Sequence, residues 1–128
     1  MNAPTPNVIS TNPILDISRR FARAIVLYSR LIEKQRLPDM AIQLRRSATS
    51  VGANVSEAQR AQSRADFIHK MKLAQKELLE TEYWLDLCKL IPECEPAPEI
   101  ENDVLSMKKL FSAILSTAIQ HEKGKKNR

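Results

Sequence analysis

Asp66 and His69 are the residues whose spacing comes nearest to a metal-binding pattern. They lie three residues apart, as do the carboxylate and histidine in each half of a di-iron centre in a helical bundle. A complete centre needs a second such pair and two further inward glutamates. The other histidine, His121, has Ala118 three residues before it. The sequence therefore predicts no metal ion and no cofactor.

The residues that could act as nucleophiles lack the setting that catalysis requires. Cys88 and Cys94 form neither a Cys-x-x-Cys pair nor a zinc-type spacing, and we expect both thiols to be reduced. The serines have no glycine-rich elbow and no loop long enough for an oxyanion hole. With 2 glycines the chain has no phosphate-binding loop. We therefore predict that the protein is not an enzyme.

Basic side chains are the remaining candidates for function. The net charge is +5, and the bases are concentrated in the first half of the chain. Such a surface would bind RNA or DNA through phosphates, because 5% aromatic residues are too few for base-stacking platforms. The candidate nucleic-acid contacts are Arg19, Arg20, Arg23, Arg30, Lys34, Arg45 and Arg46. A solvated basic surface without a ligand is an equally valid interpretation of the composition.

Four stretches of apolar residues at alternating steps of three and four would position these side chains. Such seams are typical of helices that pack side by side at shallow angles. They comprise Ile14, Ile17, Phe21, Ala24, Tyr28 and Leu31; Leu37, Ala41, Leu44, Ala48, Val51, Val55 and Ala58; Phe67, Met71, Ala74, Leu78, Thr81, Leu85 and Cys88; and Ile100, Val104, Met107, Phe111, Ile114 and Ala118. The predicted fold is all-α, an antiparallel up-down-up-down four-helix bundle.

Prolines and capping residues set the predicted helix limits. Asn12 before Pro13, and Ser63 before Asp66, are typical helix starts. The predicted helices run from 14 to about 36, 38 to 60, 64 to 91 and 98 to 123.

The predicted domain spans residues 14–123, between two tails expected to be disordered. The N-terminal tail, 1–13, has no charged side chain and no long apolar run, so it matches neither a signal peptide nor a membrane anchor. Gly124 is expected to stop the last helix, leaving a basic tail at 124–128. We expect a cytoplasmic protein without a membrane contact.

Apolar residues beyond the seams indicate self-association. The first helix adds Ile25, Val26, Leu27 and Ile32, and the last adds Leu105, Leu110, Leu115 and Ile119. Surplus apolar surface on a bundle predicts a neighbour, here a second copy or an unknown protein partner. Tyr83 and Trp84 are expected to pack in the core or at a subunit contact.

Two polar residues lie beside the seam of the second helix. Asn54 and Glu57 need partners if they are removed from water. We predict that they join Arg46 in an interhelical or intersubunit network. The alternative is that Glu57 faces solvent.

Several of these residues also belong to a recognisable pattern. The segment RRSATSVGANVSE at 45–57, followed by Arg60, Phe67 and the LLETE run at 78–82, resembles the ribosomal RNA intervening-sequence family of bacterial four-helix bundle proteins. The resemblance covers roughly residues 14 to 120. It departs at Ala58, where the family usually has glycine, and at Lys76, where a small serine is common.

The accessory variability determinant of diversity-generating retroelements is similar in fold. That resemblance implies a homopentamer whose basic surface contacts nucleic acid and a reverse transcriptase. Two functions stay open from the sequence. The first is a non-enzymatic, self-associating scaffold or adaptor; the second is a nucleic-acid-binding accessory factor of a ribonucleoprotein or reverse-transcriptase system.

Overall fold

Four antiparallel helices make up the fold. The computed structural model describes residues 12–126, which form α1 (Pro13–Lys34), α2 (Pro38–Ala58), α3 (Arg64–Lys89) and α4 (Pro98–Lys126). Each helix packs against its neighbours in sequence, and α4 returns to α1, so the prediction of an all-α four-helix bundle is confirmed. α2 packs most closely, against α1 and α3. The start of α1 and the end of α4 lie at the same end of the bundle.

Side-chain caps begin two helices where the sequence predicts them. The Asn12 side chain accepts a hydrogen bond from the Leu15 amide at 3.3 Å. The Ser63 hydroxyl accepts one from the Asp66 amide at 3.0 Å. Each bond satisfies an amide that has no partner within its helix. α2 begins at Pro38 without a side-chain cap from Leu37, and the dihedral angle that the proline ring fixes favours the first helical turn.

α1 ends two residues before the predicted limit. Arg36 has a φ of 65°, a left-handed conformation that stops the helix. The Arg36 amide donates to the Glu33 carbonyl at 3.0 Å, and the Leu37 amide donates to the Ile32 carbonyl at 3.1 Å. This arrangement is a Schellman motif, and it turns the chain directly into α2.

α4 continues beyond its predicted end. The helix passes through Gly124 and reaches Lys126, so the prediction that Gly124 stops it is wrong. An exposed glycine within a helix costs about 1 kcal/mol relative to alanine, which the helix tolerates. Residues 1–11 and 127–128 lie outside the described residues, and with them most of the predicted N-terminal tail and the end of the basic tail.

The predicted seams form the core, with one clear error in α1. Leu31 is 59% exposed, whereas Ile25 and Ile32 are 0% and 1% exposed. The buried positions of α1 follow the 3.6-residue repeat of a straight helix, whereas the predicted seam assumed a repeat of about 3.5. Ile25, Ile32 and Leu115 therefore belong to the core and not to a surplus apolar surface.

Small and hydroxyl-bearing residues bring α2 close to its neighbours. The Ser47 and Thr81 hydroxyls lie 2.8 Å apart between α2 and α3. Each is also bonded to a carbonyl four residues earlier, so these buried groups are satisfied. On the other side, a Cβ on Gly52 would lie 3.7 Å from the Ser18 carbonyl oxygen, an ordinary contact. The α1–α2 approach therefore requires a small residue but not glycine.

None of the helices within residues 12–126 is both long enough and apolar enough to cross a lipid bilayer.

Candidate interaction surfaces

Four of the predicted basic contacts share the outer face of α1. Arg19, Arg23, Arg30 and Lys34 are exposed, and they are spaced by four, seven and four residues, which keeps them on one side of a helix. They extend over roughly 22 Å along the axis. Within residues 12–126 no carboxylate pairs with any of them. We call these four residues the basic row.

Arg20 instead joins α1 to α4. Its Nη2 lies 2.7 Å from Asp103 Oδ1 and its Nε lies 3.3 Å from Oδ2, a two-pronged ion pair. The hydrogen bond from Arg20 to Asp103, together with the charge of that carboxylate, raises the pKa of Arg20 above its ordinary value. Its charge is therefore neutralised within the chain.

Arg45 and Arg46 fasten α2 to the two helices beside it. Arg45 Nη1 donates to the Ser29 hydroxyl at 3.0 Å and also pairs with Glu33 on α1. Arg46 pairs with Glu80 on α3, and its Nη1 lies 3.5 Å from Glu77 Oε2. These contacts divide the seven predicted residues into the four of the basic row and three that link helices.

The predicted network of Arg46, Asn54 and Glu57 does not form within one chain. Asn54 Nδ2 donates to the Ser50 carbonyl at 2.9 Å. Glu57 is exposed, and its Oε1 lies 3.8 Å from Lys70 Nζ. Each residue therefore has its own partner, and an intersubunit network stays a prediction.

An apolar row on the outer face of α3 was missed by the sequence analysis. Leu79, Tyr83 and Leu90 are 49%, 55% and 80% exposed, and Leu87 beside them is half-buried. Steps of four, four and three place all four on one side of the helix. We call them the α3 row. In the sequence, these four residues form a second series of apolar side chains at helical spacing, offset from the core seam of α3.

Trp84 lies beside the α3 row, and its indole N–H has no hydrogen-bond partner among the described residues. Its indole Nε1 is buried and makes no hydrogen bond within the described residues. The ring packs edge-on against Tyr83, with centroids 5.1 Å apart and planes at 72°. Tyr83 thus lies outside the core, whereas the Trp84 side chain is partly buried and packs against the core. A buried indole N–H normally has an acceptor, and this one has none within residues 12–126.

A cleft on the other side of the bundle also exposes apolar side chains. It has a volume of about 600 Å³ and lies between α1 and the segment 93–100. Leu27 and Leu31, which are 41% and 59% exposed, form one wall, and Ala97 and Ile100 lie opposite. We call this the α1 cleft. Its rim carries charges of both signs, from Arg30, Lys34, Glu93 and Glu95.

The two cysteines lie in a buried cluster beneath the α3–α4 loop. Both are free thiols, and the Tyr28 hydroxyl donates to the Cys94 carbonyl. Burial raises the pKa of Tyr28 and of the Cys88 thiol, because removal from water disfavours their ionised forms. The cluster therefore holds the loop against α1 and has none of the features of a reactive cysteine.

Asp66 and His69, the pair whose spacing comes nearest to a metal-binding pattern, lie near the start of α3. Asp66 lies in the capped first turn of α3, and His69 is exposed. In the part of the chain that the structure describes, no three His, Cys, Asp or Glu side chains converge on a point that could hold a metal ion.

Comparison with known proteins gives a family and a fold. The family described as 23S rRNA-intervening sequence protein matches residues 11–112. A crystal structure from Bacteroides thetaiotaomicron, of a protein with unknown function from the S23 ribosomal protein family, is 43% identical with a TM-score of 0.70. That match covers 80% of this chain and 97% of the other. No curated protein matches the chain.

Proposed function

We propose that this chain, which belongs to the 23S rRNA-intervening sequence protein family, is a non-enzymatic scaffold that assembles with further copies of itself. The observation that carries the proposal is the exposure of the α3 row. Three large apolar side chains on one helix face cost free energy in water at about 25 cal/mol per Å² of apolar surface. A neighbour that covers these side chains removes that cost.

The α1 cleft has the shape to receive the α3 row of the next copy. The row protrudes, with Tyr83 at its centre, whereas the cleft is concave and lined by Leu27 and Leu31. Tyrosine and leucine side chains in an apolar cleft are typical of the central part of a protein interface. Because the two surfaces differ, the contact is head-to-tail, and such a contact gives a ring where the rotation between copies closes and an open filament where it does not. A ring of five is the number that the retroelement resemblance implies.

Light scattering during gel filtration tests the assembly. We expect the wild-type chain, of 14.6 kDa, to run at several times that mass. A row variant, L79S with Y83S, and a cleft variant, L27S with L31S, should each be monomeric, since each lacks one of the two surfaces. L105S is the matched control, because Leu105 is 56% exposed but belongs to neither surface.

Mixing the two variants distinguishes a head-to-tail ring from a symmetric dimer. Each variant retains the surface that the other has lost, so the mixture should form a one-to-one dimer that cannot grow further. A wild-type chain that stays monomeric at micromolar concentration contradicts the proposal. A mixture that stays monomeric contradicts the pairing of row with cleft.

The basic row favours a second function, the binding of nucleic acid through phosphates. Four exposed cations lie on one face and form no ion pair with the rest of residues 12–126. Four phosphate contacts predict that the logarithm of the affinity for single-stranded RNA falls with the logarithm of salt at a slope of about −3. Contact with phosphates alone gives little sequence preference.

Charge reversal in the basic row tests this second function. R19E with R23E should abolish RNA binding at low salt, measured by fluorescence anisotropy. K72E with K76E, on the exposed face of α3, changes the net charge equally and should bind RNA nearly as well as wild type. If both variants lose RNA affinity equally, binding depends on the net charge of the protein and not on the basic row. If the wild type does not bind RNA, the second function is excluded and only the scaffold function remains.

A further inference from the structure

We propose that the end of the bundle where α3 begins and α4 ends binds an organic phosphate, a role beyond that of a scaffold. A pocket of about 490 Å³ opens there. It is lined by Arg64, Thr117, Gln120, His121, Gly124 and Lys125. This volume lies in the range of small-molecule sites, which require a few converging polar groups.

The described residues that line this pocket include bases and no acid. Arg64 and Lys125 are cations, and His121 adds an imidazole. Within residues 12–126 none of the three is in an ion pair, unlike Arg20, Arg45 and Arg46, which acids neutralise. Unpaired cations that converge on a concave site favour an anionic ligand.

The charges of side chains, not of helix ends, decide this preference. The start of α3 contributes about half a positive charge and the end of α4 about half a negative one, so the two helix dipoles largely cancel. Arg64 can donate two parallel hydrogen bonds to phosphate oxygens, and Lys125 adds a point charge. Thr117 and Gln120 provide neutral donors at the same opening. Together they match a phosphate group.

An adjoining groove indicates what the phosphate is attached to. It has a volume of about 380 Å³ and shares Arg64 and Thr117 with the basic pocket. Its other lining residues are Phe67, Ala113, Ile114 and Ala118. A ligand that places a phosphate in the pocket would therefore place an apolar or flat aromatic group in the groove. A nucleoside monophosphate has both parts, and its base can stack on an aromatic ring such as Phe67.

Gly124 lines the pocket without contributing a side chain. A Cβ at this position would meet no atom within 4 Å, so the space beside the glycine is empty. Its φ is not positive, and the helix around it therefore does not require glycine. A larger side chain would fill the pocket and would at the same time favour the helix.

Calorimetric titration with adenosine monophosphate tests the charges. We expect the wild type to bind it more tightly than inorganic phosphate, because only the former reaches the groove. R64Q with K125Q should weaken binding about tenfold or more, since two charge-assisted bonds are lost. K72Q with K76Q removes the same charge from the exposed face of α3, outside both phosphate-binding surfaces, and should leave the affinity unchanged.

A second variant separates occlusion from misfolding. G124L should lose adenosine monophosphate binding while its melting temperature stays at or above that of wild type. Wild type that does not bind at millimolar ligand, or an affinity that neither G124L nor the R64Q and K125Q pair alters, overturns the proposal. An affinity for inorganic phosphate equal to that for the nucleotide overturns the assignment of the groove.

Discussion

Replacement of Phe111 with alanine lowers the free energy of unfolding by about 3–5 kcal/mol. Phe111 is 0% exposed and is the largest buried side chain of α4, the helix that packs least closely with its neighbours. Its removal takes away apolar contact and leaves a cavity among rigid helices. Since small domains have about 5–15 kcal/mol of stability in total, the variant should unfold at a much lower urea concentration.

The matched control for this change lies on the same helix. Leu105 is 56% exposed, so L105A should alter the free energy of unfolding by at most about 0.5 kcal/mol. Both variants are compared with wild type at one protein concentration, because self-association would add to the apparent stability. A cost below about 1 kcal/mol for F111A would contradict the packing of α4 described above.

Replacement of Tyr28 with phenylalanine lowers the free energy of unfolding by about 1–3 kcal/mol near neutral pH. The Tyr28 hydroxyl donates to the carbonyl of Cys94, a residue that is 2% exposed. Without the hydroxyl, this buried carbonyl loses its partner while the aromatic ring still fills its place. The cost is therefore one of hydrogen bonding and not of packing. Urea titration of the two proteins at neutral pH measures it.

The same change should also alter the response to alkali. The pKa of Tyr28 is raised in the folded protein, so the unfolded chain releases this proton first as pH rises. Tyr28 therefore stabilises the fold below the ordinary tyrosine pKa of about 10, and this contribution is lost above it. Above that pH, the stability of wild type should fall more steeply than that of Y28F, by up to about 1.4 kcal/mol per pH unit. Parallel curves would contradict the burial of this hydroxyl.

The fold could be predicted because apolar spacing and capping residues act locally. Asn12 and Ser63 cap their helices as expected, since a cap depends on neighbours within one turn. Leu31 was misplaced because the small difference between a 3.5-residue and a 3.6-residue repeat accumulates along a long helix. The end of α1 was also missed, because arginine is an uncommon residue in the left-handed position that Arg36 occupies.

The surfaces were less predictable because they depend on contacts between distant residues. Arg20 and Arg23 look alike in sequence, but Arg20 pairs with Asp103, which lies 83 residues away. No spacing rule identifies that partner. The basic row could be assigned to one face of α1, whereas the pocket of Arg64, His121 and Lys125 combines the ends of two helices. Such a site becomes visible only when the crossing of α3 and α4 is known.

The two buried cysteines can be used to measure local opening of the fold. Cys88 and Cys94 are 0% and 2% exposed, so a thiol-modifying dye can reach them only when the α3–α4 loop lifts from α1. Labelling rates therefore measure how often this end of the molecule opens without global unfolding. Because these two are the only cysteines of the chain, the signal comes from that single region without any engineering.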